Sequence, residues 1–193
     1  MSDQLLWYTT RGAGAVTLML LSVVVVLGII ARSRVSIAGQ PRFLNAALHN
    51  DIALLSLAFL ALHIVTAVVD PFTHLGIAAL IPFASHYRSA WLGLGAIALE
   101  LILALIITSL LRRRIGVAAW RAVHWVTYFA WPLAVVHGIG IGTDATSWWM
   151  LAITVACAAM VAAAALWRLA VAPPDPLAEE RRASALQARG LLP

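Results

Sequence analysis

Five stretches of this chain are long and apolar enough to cross a bilayer, and nothing else in the sequence limits its fold as strongly. A spanning helix needs about 20 mostly apolar residues, because it rises about 1.5 Å per residue through a hydrocarbon core of about 30 Å. The stretches are 13–31, 46–69, 90–111, 122–141 and 148–168. The run 74–84 is also apolar, but it is too short to span and contains Pro82, so it reads as a re-entrant or interfacial segment. These features predict an all-α integral membrane bundle of five transmembrane helices plus that short segment, in one domain over 1–172. The Pro173-Pro174-Asp175-Pro176 run ends the fifth helix, leaving 173–193 as a tail. Composition agrees: 63% of residues are hydrophobic and 11% charged, against roughly 25% charged in soluble domains. An ordinary water-soluble globule is excluded, and so is a disordered chain.

The basic residues are all arginine, and they predict an orientation. Arg32, Arg34 and Arg42 lie between the first two spans, and Arg112, Arg113, Arg114 and Arg121 between the third and fourth. The other two connections hold only Arg88, while the tail adds Arg181, Arg182 and Arg189. Arginine-rich loops stay inside, which puts the N-terminus outside and the C-terminus in the cytoplasm of a multi-pass cell-membrane protein. The first span is expected to be a retained anchor and not a secretory leader: Asp3 offsets Arg11 before it, and Arg32 and Arg34 follow it in place of a small-residue cleavage site. Trp7, Tyr8, Trp91, Trp148 and Trp149 fall at the expected outer interface, and Trp120 and Trp167 at the inner one. In so apolar a chain the net charge of +5 reads as membrane orientation, not nucleic-acid binding.

Four histidines carry the chemistry. His49 and His63 are 14 apart on the second span, and His124 and His137 are 13 apart on the fourth. The two spans run in the same direction, so His49 faces His124 near the cytoplasmic side and His63 faces His137 roughly 20 Å higher. Fourteen residues is close to four helical turns, which keeps His49 and His63 on one face, with the small Ser56 between them. Thirteen leaves a phase error, and a kink at Pro132 is the expected remedy. Two imidazoles facing each other in hydrocarbon suit a haem iron, which takes two axial nitrogens. Zinc or copper wants three or four clustered ligands. The single cysteine, Cys157, excludes a disulfide, a cysteine-based metal site and covalent haem c.

At this point the chain resembles the ferric-reductase-like transmembrane domains, which include the membrane part of NADPH oxidases. The resemblance rests on His49 and His63, the run Leu110-Leu111-Arg112-Arg113-Arg114-Ile115-Gly116, Trp120-Arg121 with His124, Tyr128, His137-Gly138 and Gly142-Thr143-Asp144. It covers roughly residues 10–170. Many members have six or more spans and a cytoplasmic FAD/NADPH module, where five spans and no such module are expected here. The resemblance therefore implies the conduit, two bis-histidine haems b, and not its electron source.

Other residues have two readings each. Arg42 and Arg121 are the candidates to pair with the propionates of the inner haem, and Arg88 and Arg11 with those of the outer one; topology alone also accounts for loop arginines. Trp131 is placed midway between the proposed haems, as a bridge in the electron path or as core packing. Glu100 is costly in mid-span and calls for a structural partner or a proton route. Asp70, at a helix C-terminus, is expected to pair with Arg88 or Arg11. His74 and His86 lie in the outer loop, solvated or touching an external acceptor.

The reading is a haem-dependent transmembrane oxidoreductase that passes electrons from a cytoplasmic donor to an outer acceptor. The acceptor classes are a ferric chelate, a flavin-bearing or redox subunit, or oxygen. The chain is expected to hold no flavin or nicotinamide site, so a separate flavoprotein reductase or quinol supplies electrons. The alternatives are the haem b anchor of a quinone-linked complex, and a non-redox transporter or assembly protein.

Overall fold

The computed structural model describes residues 2–32, 42–71 and 74–170, without the side chains of Ser2, Asp3, Arg32, Arg42 and Thr127. The described residues form five long helices and one short one: α1 (Ser2–Arg32), α2 (Arg42–Val69), the 3-10 helix α3 (Gly76–Leu80), α4 (Ser89–Leu110), α5 (Arg112–Ile141) and α6 (Trp148–Ala170). Four of them, α1, α2, α4 and α6, are long and apolar enough to cross a membrane. The fourth expected span, α5, falls outside that set. Its apolar stretch is interrupted by Trp120, Arg121, His124, Tyr128 and His137, the residues that give it chemistry. The tail 173–193 and Arg34 of the first connection lie outside the described residues.

Three helix starts precede the expected bounds by four residues or more, and in α2 the shift is only from 46 to Arg42. Helix α1 begins at Ser2, not near residue 13, because nothing in the leader breaks it. Thr9 and Thr10 turn their hydroxyls back onto the carbonyls of Leu5 and Leu6, at 2.8 and 2.9 Å. Arg11 is thus carried on a helix, not a loose leader. Helix α5 begins at Arg112, not near residue 122, so the expected arginine loop is a helical turn bent at Gly116 (φ 82°, ψ 160°). That φ belongs to glycine. Across the bend Arg112 stacks on the Trp120 ring at 5.1 Å, and Trp120 Nε1 donates to Ser109 Oγ at 3.2 Å. The backbone is non-helical at Gly116 and not at Pro132, so the histidine spacing on α5 is met without unwinding at the proline.

Helix α1 packs against α2, α6 and part of α5, while α4 packs against α5. Lipid offers no hydrophobic drive for this, so close contact depends on small residues. The buried positions fit that need: Ala13, Ala15, Thr17 and Ser22 on α1, and Gly93, Ala96 and Ala98 on α4. Two buried hydroxyls of the spans are satisfied within their own helices, Thr17 on the Ala13 carbonyl and Ser56 on that of Ala53, both at 2.7 Å. The helices alternate in direction. One end gathers the starts of α1, α4 and α6 with Trp7, Trp91 and Trp148; the other gathers the start of α5 with its arginines. These are called the tryptophan end and the arginine end below. The segment 74–84 forms α3 and its turns at the tryptophan end, with Leu75 buried inward and Ile77, Ile81 and Phe83 exposed.

Candidate functional site: two histidine pairs in stacked cavities

The helix hairpins enclose two cavities. One, at the tryptophan end, offers about 1190 Å³ of space, including its open part, among all six helices, with Arg11, His63, Leu80, Gly95 and His137 in its wall. The other, towards the arginine end, offers about 770 Å³ counted the same way, with Val24, Gly28, His49, Ser56, His124, Tyr128 and Trp131 in its wall. Leu21 and Ile102 border both and divide them.

Each cavity holds one histidine pair. The rings of His49 and His124 have centroids 6.4 Å apart, and those of His63 and His137 6.5 Å apart. A metal–imidazole bond of about 2.0 Å, with about 1.15 Å from nitrogen to ring centre, taken on both sides, gives about 6.3 Å. Both ring separations are compatible with one metal atom held between two imidazoles. Among the described residues there is no cluster of three or more His, Cys, Asp or Glu, so the pairs lack the extra donors of a tetrahedral site.

Backbone carbonyls fix which nitrogen faces the gap. His63 Nδ1 donates to the Thr10 carbonyl at 2.8 Å, His49 Nδ1 to that of Val24 at 3.1 Å, and His137 Nδ1 to that of Trp91 at 2.8 Å. A carbonyl only accepts, so Nδ1 carries the proton and Nε2 keeps its lone pair for a metal. His124 is faced by the Trp120 ring at 5.0 Å. Two such nitrogens in an apolar slot supply what a bis-histidine haem iron needs.

The other expected site residues are distributed unevenly. Trp131 lines the cavity near the arginine end, and its Nε1 donates to the fully buried Ser22 Oγ at 2.8 Å. Arg11 lines the cavity at the tryptophan end, where it pairs with Asp144 at 3.3 Å and donates to Thr143 Oγ1 at 3.0 Å. Arg88 is exposed, donates to the Gly140 carbonyl at 2.7 Å, and is not in that wall. Asp70 is buried. Arg121 is exposed and outside the wall of the neighbouring cavity. The side chain of Arg42 lies outside the described residues. Glu100, His74 and His86 are exposed. Sequence reasoning passed over Gly14, Gly28 and Gly95, which stand against histidine rings. A signal was present, since Gly14 and Gly28 repeat on α1 the 14-residue interval of His49 and His63 on α2.

The family described as ferric reductase like transmembrane component matches residues 13–135. The chain belongs to this family. The match takes in His49, His63, His124 and Trp131 and stops two residues short of His137. Membership gives this multi-pass helical membrane protein a transmembrane redox function of the oxidoreductase kind. Comparison with curated proteins and with solved structures gave no match.

Proposed function

We propose that this ferric reductase like protein moves electrons across the cell membrane through two haems b, from a donor at the arginine end to an acceptor at the tryptophan end. The observation that carries the reading is the pair of matched histidine gaps, 6.4 and 6.5 Å, in two cavities that share a wall. Haem b with two imidazole ligands supplies one-electron redox chemistry without an open coordination site. His49 and His124 hold the inner group, and His63 and His137 the outer. Leu21 and Ile102 stand between the two groups, and Trp131 lines the inner one. At the outer cavity Arg11 offers an anion partner to propionates, with Asp144 holding the guanidinium in place. The α5 helix is the fifth span: residues 117–141 reach about 37 Å, enough to cross.

The orientation follows from charge. Arg112, Arg113 and Arg114 at the start of α5 mark the cytoplasmic side, with the N-terminus outside. This basic turn, one helix segment before His124, is the docking surface for a separate flavoprotein reductase; membrane quinol is the other donor class. The acceptor is a ferric chelate, a flavin-bearing or redox subunit, or oxygen. The test is an absorbance spectrum of purified, haem-loaded protein with a haem-to-protein ratio. A low-spin Soret band at a ratio near two is expected, with no rapid reduction by NADPH alone and rapid reduction once a flavin reductase is added. A colourless protein loaded under haem-replete expression removes the redox reading, and fast reduction by NADPH alone removes the separate donor.

A further inference from the structure

Three of the four cavity histidines rest on a neighbouring helix in the same way. The carbonyl that accepts from His63 belongs to Thr10, and four residues on is Gly14, where a methyl group would lie 3.0 Å from the imidazole. His49 uses the carbonyl of Val24, four residues before Gly28, where a methyl would lie 3.4 Å from the ring. His137 uses the carbonyl of Trp91, four residues before Gly95, where a methyl would lie 2.5 Å from Nδ1.

The interval of four has a physical cause. Side chains on a helix lean towards its N-terminus, so the side chain at one position covers the carbonyl of the preceding turn. That carbonyl already accepts the N–H of the residue four later, but its second lone pair is open if nothing covers it. Glycine uncovers it. Glycine is also the poorest helix former after proline, yet three stand inside spanning helices, each against an imidazole.

We propose that Thr10 with Gly14, Val24 with Gly28, and Trp91 with Gly95 are seats that position the haem ligands, an inference that rests on the haem reading above. Each seat fixes the tautomer through the carbonyl and the ring position through the missing side chain. A donated Nδ1 proton makes the imidazole a stronger ligand, so the seats act on the bound iron through His63, His49 and His137. The outer pair is seated on both sides, by α1 and α4.

The test compares Gly95→Ala, Gly14→Ala, Gly28→Ala and the control Gly12→Ala, whose added methyl would meet nothing within 4 Å. Haem stoichiometry, electron paramagnetic resonance and a potentiometric titration are read on the haem-loaded protein. The ring planes cross at 81° in one pair and 49° in the other, which gives the two centres different signals. Gly95→Ala is expected to act most, shifting the outer-haem signal and raising its potential or losing that haem alone. Gly14→Ala does the same more weakly, Gly28→Ala touches only the inner haem and least, and Gly12→Ala changes nothing. The retained inner-haem signal reports that the fold survives, and Gly14→Ala stands in if Gly95→Ala does not fold. A red protein in which Gly95→Ala and Gly14→Ala leave both signals unchanged, or move both equally, overturns the seats alone. A colourless unaltered protein overturns the haem reading with them.

Discussion

Replacing His63 by Ala is expected to halve the haem content and leave the remaining haem spectroscopically normal. The two histidine pairs are 14 residues apart along α2, about 21 Å at the helical rise. Substitutions further apart than ~7–10 Å without shared partners act independently. Loss of the His63 ring removes its bond to the Thr10 carbonyl at 2.8 Å, worth about 1 kcal/mol net. That carbonyl sits inside α1 and keeps its own helical N–H partner, so no buried group is orphaned. The fold should therefore survive, with haem-to-protein falling from about two to about one and the Soret band falling with it. The assay is a pyridine haemochrome titration against protein concentration on a monodisperse detergent-purified sample. His49→Ala should mirror the result at the other centre, and the double variant should be colourless. A monodisperse His63→Ala protein that loses both haems, or an unaltered protein with a ratio near one, would refute the two-centre arrangement.

Two further outcomes are expected. A tag at Met1 should be reachable from outside intact cells and one at Pro193 should not; the opposite labelling would reverse the proposed electron direction. Trp131→Phe keeps the ring but loses the 2.8 Å bond to Ser22, costing about 0.5–1.5 kcal/mol. Trp131→Ala also removes the ring from the wall of the cavity towards the arginine end and costs about 3–5 kcal/mol. Thermal unfolding in detergent separates them, and equal losses would show that the ring is not packed there.

The parts legible in the sequence are those that a local stretch of chain settles. Apolar runs near residues 13–31, 46–69, 90–111 and 148–168 all appear as helices that meet the length and apolarity of a span. The 13-residue spacing on α5 is not settled by a local rule: the backbone keeps helical dihedrals at Pro132, and the non-helical Gly116 lies before His124, outside the interval between the two histidines. For the outer cavity the sequence favoured Arg88 over Arg11, because orientation alone does not account for an arginine in that loop. Only the extension of α1 back to Ser2 brings Arg11 into that wall, while Arg88 caps its contact on Gly140.

What the sequence determined by itself is the membrane, the helices and the four histidines that stand within them, because burial in lipid penalises each unpaired polar group wherever it stands. What only the tertiary structure decided is how those residues meet. The gaps of 6.4 and 6.5 Å, the Trp131–Ser22 bond and the three glycines under the histidine rings join helices distant in sequence. Their registers follow from close packing between helices, which no single helix encodes.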